Sequence, residues 1–151
     1  YNGASHFINL LEFWFGEYKN SKIYNTGNIL KKNDPEPEFE IELEKGKFIF
    51  QPLDDTKYFH NSIDMYCDNY RIRYENSGKK IFLYMVETDK IFPNYNVLSL
   101  NPTELMSNFS VIQSNVVENL LLFLKRKKYN LCSGKDGLKT LKIIDKIRRK
   151  M

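Results

Sequence analysis

Little in this chain is available for cross-linking or for holding a metal. Cys67 and Cys132 are the only cysteines, they form no CxxC pair, and two are too few for a disulfide scaffold, so reduced thiols are expected. The two histidines, His6 and His60, stand far apart and give no metal-ligand spacing. With 7 glycines and 5 prolines the chain is not collagenous, and an aromatic share of 15% is too high for a disordered one. Long apolar runs are missing too. Leu120–Leu124, the longest unbroken run near the C-terminus, falls far short of a bilayer span. The start lacks the basic, apolar and small-residue layout of a signal peptide. A cytoplasmic protein with no membrane partner is expected. Also absent are a GxGxxG turn, a phosphate-gripping GxxxxGK[ST] and a nucleophile elbow. The chain opens on Tyr1 and its first methionine is Met65, which predicts a piece of a longer polypeptide.

What is present is 151 residues, about one domain's worth, with 23 basic and 19 acidic side chains. The net charge of +4 hides an asymmetry. Residues 121–151 hold 11 basic and 2 acidic side chains, or +9, and residues 1–120 hold 12 and 17, or −5. A basic end can track phosphates or an anionic surface. Lys125–Lys128 and Arg148–Lys150 also sit where cations close helices against the negative dipole end. No aromatic residues interleave with them as in a single-strand groove, so no nucleic-acid partner is expected.

Hydrophobic spacing predicts a helix over 4–15, with Phe7, Ile8, Leu10, Leu11, Trp14 and Phe15 on one arc and Ser5, His6, Asn9 and Glu12 on the other. Gly16 is its expected stop. Lys22–Thr26 is a candidate strand, and Asp34-Pro35-Glu36-Pro37 a rigid extended entry. Glu38–Glu44 alternates strictly between acidic and apolar residues, turns at Lys45-Gly46-Lys47 and returns through Phe48-Ile49-Phe50. Strands are expected at 61–67 and 69–75. After a turn at Ser77-Gly78, a strand at 80–87 is apolar on both faces and belongs mid-sheet. Residues 88–108 read as a long loop. A helix near 109–128 would bury Ile112, Val116, Val117, Leu120 and Leu124. Ser133-Gly-Lys-Asp136 is a capping box for a last helix at about 135–150, with Leu138, Leu141, Ile144 and Ile147 as its apolar side. The order predicts an α+β fold: an open, mainly antiparallel sheet with helices on one face, and a single domain over 1–151.

Three segments then resemble a known family. Asn2-Gly3-Ala4-Ser5-His6-Phe7-Ile8-Asn9-Leu10-Leu11 is similar to the D-x-G-x-H-x-x-D-L helix of the glucose–fructose oxidoreductase / inositol dehydrogenase / MocA family. The stretch from Asp34 through Phe39–Leu43 and Gly46 to Gln51 resembles the first long hairpin of that family's C-terminal domain. Cys132-Ser-Gly-Lys-Asp-Gly-Leu-Lys-Thr-Leu-Lys-Ile-Ile is similar to its closing helix. The likeness spans nearly the whole chain, in order. It implies a substrate-binding and oligomerisation domain whose N-terminal dinucleotide-binding partner, with its glycine fingerprint and catalytic lysine, is absent from this chain. It implies NAD or NADP in the full-length parent, no cofactor bound by this fragment, a sugar, sugar nucleotide or polyol as substrate, and a homo-oligomer (dimer or tetramer) through the open sheet face.

On that likeness His6 is the catalytic base, since an imidazole can take the proton a hydroxyl loses on hydride transfer. Asn2 and Asn9 are the substrate-binding residues, standing where the family has aspartates. An amide binds a hydroxyl by hydrogen bonds but does not ionise. The alternative is a non-catalytic α+β dimerisation or interaction module whose basic C-terminal tail meets an acidic partner.

Overall fold

The computed structural model describes residues 2–26, 36–53 and 58–151. The expected Asp34-Pro35 half of the extended entry lies outside them. The fold is α+β and its sheets are antiparallel. The chain divides into two compact units, residues 1–53 with 132–151, and residues 54–131, and its strands form one sheet in each.

The first unit contains α1 (Asn2–Phe15), β1 (Tyr18–Asn25), β2 (Glu38–Leu43), β3 (Gly46–Phe50) and α3 (Gly134–Arg148). The alternation of β2 decides its geometry. Phe39, Ile41 and Leu43 are buried and the glutamates between them are not. In the order β1-β2-β3 it is the middle strand, so its apolar face centres the core. Ile8 and Leu11 of α1 and Ile143, Ile144 and Ile147 of α3 close over that face. Phe39 stacks on Phe50 with centroids 4.5 Å apart. Gly16 ends α1 at φ +87°, and Lys45 N–H then donates to Phe15 O at 3.0 Å, tying the helix end to the β2–β3 turn. The outer face is polar: Tyr24 Oη donates to Glu40 Oε2 at 2.8 Å.

The expected apolar side of α3 is corrected in part. Ile144 and Ile147 are buried, but Leu138 and Leu141 are exposed, and Thr140 and Ile143 take the core positions. The buried arc is rotated toward α1, where Thr140 finds a polar partner.

The second unit contains β4 (Ser62–Tyr66), β5 (Tyr70–Glu75), β6 (Lys80–Thr88), β7 (Asn96–Leu98), β8 (Thr103–Leu105) and α2 (Ile112–Leu124). The span expected to be loop thus holds two short strands, β7 and β8, which pair with different halves of β6. β6 is mid-sheet as expected, but its residues are half-buried or exposed rather than fully covered. Registers place Ile63, Met65, Ile72, Tyr74, Ile81 and Leu83 on one face. The opposite face carries Asp64, Tyr66, Arg71, Arg73, Phe82 and Tyr84. There Arg71 lies 5.2 Å from the Tyr66 ring and 5.1 Å from the Tyr84 ring, and donates to Asp64. The stripe expected to be buried in α2 is exposed at all five positions, Ile112, Val116, Val117, Leu120 and Leu124. The periodicity is helical, but no layer of this unit buries it.

Candidate functional site

α1 places its residues by 100° steps. Ile8 and Leu11 face the sheet, so His6 falls on the side turned away from the core and is exposed. About two turns along the helix Phe13 and Trp14 are exposed as well, Phe13 at 69%. No described residue makes a hydrogen bond or ion pair to the imidazole. Asn2 opens the same helix, and its side chain is not among those described.

Asn9 lies one turn from His6 and faces α3. Its Nδ2 donates to Thr140 Oγ1 at 3.0 Å, across 131 positions of sequence. Thr140, 3% exposed, has two further neighbours, Asp136 O at 3.2 Å and Glu12 Oε2 at 3.5 Å. Both are acceptors only. With the single hydroxyl proton spent on either of them, the oxygen accepts from Asn9 Nδ2. That assigns the amide: Nδ2 faces Thr140, and Oδ1 is directed away from it.

The cluster continues to Glu12, whose side chain is 8% exposed and whose Oε1 lies 3.4 Å from Lys139 Nζ. Lys139 also donates to Glu17 at 3.3 Å. Burial works against the Lys139 ammonium, but the Glu17 hydrogen bond and the Glu12 charge outweigh it and hold the group above its ordinary value.

The structure therefore brings Asn9 together with Thr140, Glu12 and Lys139, and leaves His6 on the adjoining outward strip. Thr140 and Lys139 were not legible as site residues. Glu12 was legible only as a member of the polar strip, since a helix strip alone does not name its partner.

Elsewhere in this unit a depression of about 250 Å³ is lined by Asn25, Glu36, Glu38, Gln51, Pro52 and Leu53, and neither His6 nor Asn9 borders it. Among the described helix starts, that of α3 has a complete capping box. It is closed by its own Asp136 carboxylate, which accepts from Ser133 N–H at 2.8 Å and Ser133 Oγ–H at 2.7 Å. A pyrophosphate there would meet like charge. Those bonds from Ser133 hold Asp136 below the usual carboxylate value. Among the described residues no group of three or more His, Cys, Asp or Glu could hold a metal ion, and no helix is long and apolar enough to cross a membrane.

The chain matches no family model, no curated protein and no solved structure.

The basic C-terminal end is partly engaged within its own unit. Lys150 Nζ donates to Ser21 O at 2.6 Å and to Asn20 Oδ1 at 3.0 Å. Lys146 lies 5.3 Å from the Tyr18 ring centroid, and Arg149 pairs with Asp145 at 2.7 Å.

Proposed function

We propose that this chain is the substrate-binding and oligomerisation half of a cytoplasmic NAD(P)-dependent oxidoreductase of the glucose–fructose oxidoreductase / inositol dehydrogenase / MocA type. It acts on a sugar, sugar nucleotide or polyol, and the dinucleotide is held elsewhere in a longer parent. One observation carries the reading. The three segments that resemble the family, around residues 2–16, 36–51 and 132–144, are remote in sequence, with Asn9 meeting Thr140 across 131 positions, and yet assemble into one unit with one core. The outward strip of α1 adds support. It joins His6 to the exposed Phe13 and Trp14, an apolar surface beside a titratable group that a separate domain would cover.

In this reading a nicotinamide held by the parent would supply the hydride acceptor. His6 accepts the hydroxyl proton, and Asn2 and Asn9 hold neighbouring hydroxyls by hydrogen bonds. The half-buried apolar face of Ile63, Met65, Ile72, Tyr74, Ile81 and Leu83 receives a second copy.

The test is turnover by the parent polypeptide, read as NAD(P)H appearance with sugars, sugar nucleotides and polyols. The 151 residues alone should neither turn over substrate nor bind NAD. Micromolar NAD binding by these residues in a titration calorimeter, or a parent lacking a dinucleotide-binding segment, removes the reading. Sedimentation of Leu83→Arg should show a smaller species than the unaltered chain.

A further inference from the structure

We infer that Thr140 is a positioning residue that makes Asn9 an obligate hydrogen-bond acceptor on the outward side of α1. The inference rests on the proposed reading of that side as the one facing substrate. Its geometric part stands without it.

The argument is one of proton count. Thr140 Oγ1 has one proton and two acceptor-only neighbours on α3 and α1, Asp136 O and Glu12 Oε2. With that proton given to either neighbour, Asn9 meets the oxygen through Nδ2, at 3.0 Å. The amide is planar, so committing Nδ2 to α3 directs Oδ1 away from α3, and no described residue donates to it. What Asn9 has left for a ligand is therefore a carbonyl oxygen. It takes a donor, such as a ligand hydroxyl, and refuses another carbonyl or an anion.

The same count accounts for an amide rather than a carboxylate at position 9. An aspartate would have to draw the Thr140 proton away from Glu12 and Asp136 O, and would set a second negative group beside the buried Glu12 carboxylate. Lys139, already shared between Glu12 and Glu17, offers no third counter-charge. Glu12 and Thr140 thus select Asn9, and Asn9 in turn selects hydroxyl donors.

Two measurements test this. In the full 151-residue chain with ¹⁵N-labelled side chains, the Asn9 amide protons should exchange about fivefold more slowly than those of exposed Asn94, as one net hydrogen bond implies. Thr140→Val should abolish the difference and Thr140→Ser should keep it. In the parent, with myo-inositol and D-glucose as probes, Thr140→Val should raise KM about tenfold with kcat little changed, and Thr140→Ser should restore it. An Asn9 amide exchanging like Asn94 in the unaltered chain overturns the inference. So does loss of protection in Thr140→Val without a change in KM. A parent that oxidises no sugar-type substrate defeats the oxidoreductase reading, while the exchange measurement still decides the orientation of Asn9.

Discussion

Lys139 Nζ stands 3.4 Å from the Glu12 carboxylate, a group whose side chain is only 8% exposed. The pair links α3 to α1 beside the Asn9–Thr140 hydrogen bond. Replacing Lys139 by Met strands a buried carboxylate and should cost about 1–3 kcal/mol in urea unfolding. The ammonium is held above its ordinary value of 10.5, so its contribution is complete below that pH and disappears as pH rises through the higher folded value. Lys139→Met should therefore flatten the alkaline limb of Tm against pH. An unchanged limb assigns the alkaline loss to another group.

Asp136 predicts the opposite limb. Its carboxyl is held below the ordinary 3.8 by the Ser133 hydrogen bonds, so its contribution is present above 3.8 and lost as pH falls through the lower folded value. Asp136→Asn should make Tm less steep in acid. Helicity lost from Gly134–Arg148 should accompany the change in circular dichroism.

The two faces of the first unit's sheet should respond differently. Ile41, 0% exposed at the centre of β2, should cost about 2–5 kcal/mol when cut to Ala. Ile49, 60% exposed on the other face, should change stability by less than about 0.5 kcal/mol. Equal effects would mean the core does not lie between β2 and the two helices.

At the β5–β6 turn, Asn76, Ser77 and Gly78 all have positive φ, and Gly78 reaches +86°. A Cβ at position 78 would come within 2.6 Å of the Tyr74 ring. Gly78→Ala should lose more than about 1 kcal/mol, and should act on unfolding of residues 54–131.

His6→Ala in the parent should lower turnover by about 10²–10⁴ if the imidazole takes the hydroxyl proton. Because His6 is exposed, the change should leave Tm nearly where it was. A loss below tenfold with intact folding returns His6 to a surface role.

Several elements were readable residue by residue. The alternation of Glu38–Leu43 names both its strand and its buried face, and Ser133 with Asp136 names the start of α3. The mid-sheet place of β6 follows from apolar residues on both its faces. β7 and β8 escaped reading because each has three residues, too few for a period to register. The buried stripe expected in α2 has the right spacing and no cover, because amphipathicity marks a face without supplying a surface to bury it.

By itself the sequence determined what depends on neighbours within a few positions: helix and strand periods, the capping box, the glycine that ends α1, and the acidic and apolar sides of β2. Tertiary structure alone decided where the polar strip of α1 points. Asn9 meets Thr140 across 131 positions, and no local rule reaches that far. The meeting also rotates the buried arc of α3 away from Leu138 and Leu141 toward Thr140 and Ile143. A helix strip states which side chains are polar. Only packing states which of them are spent on holding the fold and which, like His6, are left facing outward.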